Sequence, residues 1–93
     1  MTFIECDAAK NAQNIRTRGI GFERFSAMDL ETAISVEDTR KDYSELRLRV
    51  FGYIDRLLHA AVITPRGEKI RVISLRRANR REERAYAKER QSS

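Results

Sequence analysis

One cysteine, one histidine, one proline and no tryptophan occur among the 93 residues. With Cys6 alone the chain has no internal disulfide and no thiolate cluster, and with His59 as the single imidazole it lacks the usual ligand set for zinc. Cys6 sits beside the apolar Phe3-Ile4 pair without a local histidine pattern, so it reads as a small buried strand residue rather than a nucleophile. The scarcity of proline and glycine excludes a low-complexity linker. No run approaches the roughly 20 apolar residues of a membrane span. The start, M-T-F-I-E-C-D, lacks the basic opening and apolar stretch of a signal peptide. The expectation is one domain over 1–93, its last residues 91–93 frayed, with no membrane contact and a cytoplasmic address. A chain this short buries only around two thirds of its unfolded surface, so its stability margin is small.

Charge is what the chain has in quantity, and it is unevenly spread. Residues 1–65 carry nine Lys/Arg against ten Asp/Glu, whereas residues 66–90 carry ten against four. The formal charge of +5 therefore belongs to the last third. Clustered guanidinium groups attract polyanions and match phosphate oxygens with paired donors, so nucleic acid is the first partner to consider and an acidic protein surface the second.

The pattern along the chain is α+β. Residues 3–6 read as an opening strand, and Asp7 as the N-cap of a helix over 8–18 with a narrow apolar stripe of Ala8, Ala12 and Ile15. Gly19 ends it, and a Schellman closure would bring Ile20 onto Ile15. Phe22, Phe25 and Met28 recur every third residue, which predicts a short second helix facing the core. Residues 30–43 are acidic and weakly patterned, with one strand at 32–36 and a turn at 37–42. Alternation of Leu46, Leu48 and Val50 with Arg47 and Arg49 predicts a strand from Glu45, and Gly52 to Asp55 its reversal. An apolar run over 57–64, a Pro65-Arg66-Gly67-Glu68 turn and a strand over 70–77 complete an antiparallel meander. Asn79 and Glu82 have capping-box spacing for a last helix. That helix has only Ala85, Tyr86 and Ala87 to bury, so either these lay it on the sheet or a partner completes its packing.

The string Ile70-Arg71-Val72-Ile73-Ser74-Leu75-Arg76-Arg77-Ala78-Asn79-Arg80-Arg81-Glu82, with Tyr86 four residues on, resembles the BrnT family of small bacterial toxins. Upstream, Asp7, Lys10, Asn14 and Gly19 are similar to the family's opening helix. Glu45, Arg47 and Gly52 are similar to its E-x-R strand, and Arg56, His59, Thr64, Arg66 and Gly67 to its R-L-H strand and T-x-R-G turn. The resemblance covers most of the chain except residues 30–43, and its specificity lies in the order and spacing of the pieces. Two positions depart: Arg18 stands where the family usually has histidine, and Asp55 where a glycine-type turn residue is usual. The resemblance implies a compact RelE/ParE-like domain with N-terminal helices, a central antiparallel sheet of about four strands and a C-terminal helix. It also implies a type II toxin that cleaves RNA and blocks translation without a cofactor. Its partner would be a BrnA-like antitoxin with a ribbon-helix-helix part, and operator DNA would be reached only through that antitoxin.

Metal-free RNA cleavage requires a proton acceptor for the attacking 2′-OH, a donor for the leaving 5′ oxygen and positive charge on the phosphorane. Strict alternation puts Ile70, Val72, Ser74 and Arg76 on one face of the last strand and Arg71, Ile73, Leu75 and Arg77 on the other. Arg76, with Arg80 at the following helix start, is a candidate for phosphate, a solvated end or an antitoxin contact. Arg77 and Lys10 are further RNA-binding candidates. Arg71 enters through the resemblance alone, against a salt bridge to Glu45 or another carboxylate. Glu45 and Arg47 form either a base with a phosphate clamp or a surface ion pair. His59 suits acid-base work but sits in an apolar strand, where a hydrogen-bonded structural role competes. Tyr86 either stacks on a base or fills the helix-to-sheet interface. Beside the nuclease stand two other readings: a non-catalytic basic module for nucleic acid or a protein partner, which Arg18 favours, and a ParE-like toxin directed at a topoisomerase.

Overall fold

Two amide side chains fasten the first helix to the rest of the protein. The computed structural model describes residues 3–92. Strand β1 (Phe3–Glu5) leads into α1 (Ala8–Arg18), where Asp7 accepts from the N–H groups of Ala9 at 2.8 Å and Lys10 at 3.0 Å. These bonds satisfy free donors of the first turn and hold the Asp7 carboxyl below its ordinary value. At the other end Gly19 takes φ 73° and donates to Ile15 O at 2.9 Å, the single-bond αL ending rather than the Schellman pair expected. The expected apolar stripe faces outward: Ala8 and Ala12 are exposed, as is Ile15 at 47%. Asn11 and Asn14 lie inward instead. Asn11 Oδ1 accepts from Phe22 N, while Asn14 Nδ2 donates to the carbonyls of Ile20 and Leu75. Cys6 is exposed, not buried as its apolar neighbours suggest.

The sheet has five strands, not about four, in the order β1-β5-β4-β3-β2. It is mixed, because β1 runs parallel to β5 while all other neighbours are antiparallel. Strand β2 (Ile34–Glu37) comes from the acidic stretch. Strand β3 (Leu48–Ile54) starts later than alternation suggests, leaving Glu45, Leu46 and Arg47 outside it. Gly52 lies within β3 rather than in the reversal, and glycine is needed there because a Cβ would stand 2.7 Å from Met28 Cγ and Sδ. The reversal is Asp55-Arg56, both at positive φ (50° and 68°), the type I′ pattern built without glycine. Arg24 forms an ion pair with Asp55 there. Strand β4 (Leu57–Arg66) then turns through Gly67-Glu68 into β5 (Lys69–Arg77).

The core occupies one side of this sheet. Phe22 and Phe25 of a 3₁₀ turn (Phe22–Ala27), with Met28 after it, pack on Val50, Ile54, Ala61, Ile63, Val72 and Leu75. That Val72 and Leu75 share a face breaks strict alternation. Register explains it: Val62 pairs with Ser74 but Ile63 pairs with Val72, so Ile73 is an extra residue in β5. The expected opposition of Ser74 and Arg76 to Leu75 and Arg77 therefore holds, while the bulge moves Ile70 and Val72 onto the side of Leu75 and Arg77. Helix α2 (Arg80–Ser92) crosses that opposite side. Asn79 and Glu82 form the expected capping box, each bonding the other's backbone N–H. Among the described residues of the helix, Tyr86 alone is buried: it is 8% exposed, meets Tyr53 edge to face, and donates its hydroxyl to Thr32 O at 2.7 Å. Ala85 and Ala87 stay exposed.

Candidate active site

Where α1 ends, β4 begins and β5 finishes, the register sets His59 opposite Arg77 and Ala60 opposite Arg76. A cleft of about 640 Å³ opens there, lined by Arg18, Glu23, Arg24, His59, Arg76 and Arg77 together with backbone around Gly19 and Gly21. A smaller hollow of about 280 Å³ shares Thr17, Arg18 and Arg76 with it and adds Lys10, Asn14 and Ser74. Together they make a cationic groove along the sheet edge.

His59 is 5% exposed and its Nδ1 lies 2.7 Å from Leu57 O. A carbonyl only accepts, so Nδ1 carries a proton, and of the two neutral tautomers this one leaves Nε2 as the acceptor. The guanidinium groups differ in what they already hold. Arg76 is closed on Glu82 through two bonds of 2.8 Å and reaches Arg77 O at 3.2 Å. The Arg76 fork pulls the Glu82 carboxyl down to about 2, helped by the Asn79 N–H against partial burial. Arg24 is engaged by Asp55. Among the described residues, the side chains of Arg18 and Arg77 make no hydrogen bond or ion pair, so their donors are uncommitted.

The remaining candidates lie elsewhere. Glu45 accepts from Arg66 Nη2 at 2.7 Å and Nε at 3.0 Å, contacts that lower its pKa. Arg47 instead stacks over the Tyr43 ring at 4.1 Å, so the expected Glu45-Arg47 pairing on one strand does not form. Arg71 is level with Glu5 across the parallel pair, and its charge reaches both Asp7 and Glu45. Arg66 lies seven positions along β4 from His59, roughly 23 Å of strand, too far for Glu45 to exchange a proton at the cleft. Tyr86 is spent on packing, and Arg80 is exposed at the start of α2. The structure thus brings together His59, Arg76 and Arg77, with Lys10 at the rim. Glu23 and Arg24 escaped the sequence reading because a 3₁₀ turn, not a periodic element, carries them. Arg18 was visible only as a departure from the resemblance. Among the described residues no group of three His, Cys, Asp or Glu side chains could hold a metal ion, and no helix is long and apolar enough to cross a membrane.

Fold and cleft define a small α+β protein with a guanidinium-lined groove at one end of a mixed sheet. The family of ribonuclease toxins, BrnT, of type II toxin-antitoxin systems matches residues 6–82, and the chain belongs to it. No curated protein matches the chain. The matched span contains the whole cationic cleft and stops at Glu82, the residue that holds Arg76.

Proposed function

We propose that the chain is an endoribonuclease that works without metal, through the cleft of Arg18, His59, Arg76 and Arg77. One observation carries this reading: the only imidazole of the chain shares a cleft with four guanidinium groups. RNA supplies its own nucleophile. The 2′-OH attacks the adjacent phosphorus while Nε2 of His59 takes its proton, and Arg18 and Arg77 hold the doubly charged phosphorane with uncommitted donors. The P–O5′ bond breaks, the charged imidazole returns a proton to the 5′ oxygen, and the products are a 2′,3′-cyclic phosphate and a 5′-OH end. Arg76 joins only when phosphate displaces Glu82 from it. The proposal extends to a RelE/ParE-like fold relationship, inhibition of translation, and neutralisation by a BrnA-like antitoxin that brings operator DNA to the pair.

Arg18 favours a second reading, a binding module that holds the polyanion without turnover, because guanidinium does not exchange a proton readily near neutral pH. Incubation of the purified chain with RNA in EDTA decides between them. The nuclease reading expects 2′,3′-cyclic phosphate ends from the wild type, a loss of at least a hundredfold in His59→Asn with its circular dichroism retained, and near-normal cleavage in Glu45→Gln. RNA that is bound but left intact, or His59→Asn cleaving at the wild-type rate, overturns it.

A further inference from the structure

The far edge of the sheet has no part in this reaction, yet it is built to receive something. Strand β2 is the last in the order, so the backbone groups on its outer side have no neighbouring strand. Beside it a groove of about 470 Å³ runs between β2, β3 and α2. The pairs Ile34 with Phe51 and Val36 with Arg49 set these four side chains on the α2 side of the sheet. Val36 is 44% exposed there, and Ala85 of α2 forms the facing apolar wall. Arg49 is the unusual member. Its Nε–H is buried without an acceptor, while its guanidinium sits 5.8 Å from the Phe51 ring. Arg81 adds a second cation, and of the two carboxylates in the lining, Glu82 is occupied by Arg76. An apolar floor, an orphaned cationic donor and an open strand edge ask for one kind of occupant: an extended segment that alternates apolar and acidic side chains.

We infer that this face is where the antitoxin docks, by adding a strand to the outer edge of β2, seating apolar side chains against Val36 and Ala85 and turning a carboxylate toward Arg49. The inference rests on the toxin reading, since type II systems pair the toxin with a protein antitoxin. It places the contact away from the cleft and links the two through one residue. Glu82 belongs both to the groove wall and to the pair that closes Arg76. A segment packed along α2 holds that pair shut and keeps Arg76 from phosphate.

The test uses the intact chain and the product of the adjacent reading frame. In the complex, backbone amides of Ile34 to Glu37 should exchange with solvent at least tenfold more slowly than in the free chain, while those of α1 stay unchanged. Val36→Arg, at an exposed position, and Arg49→Ala should each weaken the complex at least tenfold, with circular dichroism and RNA cleavage by the free variants unchanged. Absence of a complex, protection centred on α1 and the Arg18 cleft, or wild-type affinity in both variants overturns the docking site. Cleavage by the free wild type is read separately, so failure of the nuclease reading is distinguished from failure of this one.

Discussion

Arg18 occupies the last residue of α1, before the helix-ending Gly19, and lines both halves of the cationic groove. The resemblance implies a histidine there, so Arg18 puts a permanent charge where a proton-exchanging group is expected. With Arg18 in that place, the proposed mechanism predicts a pH–rate profile with a single rising limb, because the proposed base accepts the 2′-OH proton only as a neutral imidazole. Arg18→His should add a falling limb and make the profile bell-shaped, measured as initial cleavage rates between pH 5 and 9; a profile of unchanged shape would place Arg18 outside the chemistry. In the Asp55-Arg56 turn, Asp55 is the other departure, and its neighbour Arg56 holds φ 68° without being glycine. Left-handed backbone costs a side-chain-bearing residue roughly 1–2 kcal/mol, part of which glycine's extra unfolded-state entropy offsets. Arg56→Gly should therefore raise stability by about 0.5–1 kcal/mol in urea denaturation, with Asp55 kept for its bond to Arg24. Single residues were legible where the physics is local. Asp7 and Gly19 act within their own turn, and the capping role of Asn79 spans three residues. Glu45 was not legible, because its partner Arg66 lies 21 residues away across two strands.

At the scale of elements, periodicity located β4, β5 and both α-helices but mistook how two of them attach. Helix α1 is held by the amides of Asn11 and Asn14, polar contacts that a search for apolar stripes passes over. Strand β5 reads as regular, yet the extra residue Ile73 shifts Arg76 and Arg77 relative to the core, and no composition signal marks a bulge flanked by apolar residues. Helix α2 shows the reverse: its capping box was visible, but the use of Glu82 to hold Arg76 requires the fold. That double use makes a pH prediction. Glu82 titrates at about 2 when folded against an ordinary 4.5, so the folded state binds fewer protons between these values. Its contribution to stability is complete above pH 4.5 and declines as pH falls toward 2. Glu82→Gln should lose on the order of 1–2 kcal/mol at pH 7, as when a cap and its ion pair are weakened together, and should show a flatter loss from pH 5 to 3 in thermal melts. Parallel wild-type and variant curves across that range would mean Glu82 does not stabilise through its charge.

Across the whole molecule the excess of positive charge is less of a single patch than its place in the sequence suggests. Arg66 closes on Glu45 and Arg76 on Glu82, so two of the basic residues in the last third are neutralised locally. The acidic middle does the same for itself, with Asp38 buried and gripped by Arg40 through two bonds of 2.8 Å. What remains for a polyanion is the set of uncommitted guanidinium groups, and their positions decide which matter. Arg18 and Arg77 face the cleft, whereas Arg84 is exposed on α2 away from it. Each phosphate neutralised on single-stranded RNA releases counterions and adds about 0.7 to the slope of log affinity against log salt. Measured with an uncleavable 2′-deoxy oligonucleotide between 50 and 300 mM salt, Arg18→Ala and Arg77→Ala should each lower the slope by about 0.7 and weaken binding across all sequences alike. Arg84→Ala, with the same change in net charge, should leave the slope alone. Equal effects at all three positions would show that RNA senses the overall charge of the protein instead of the groove between α1 and β5.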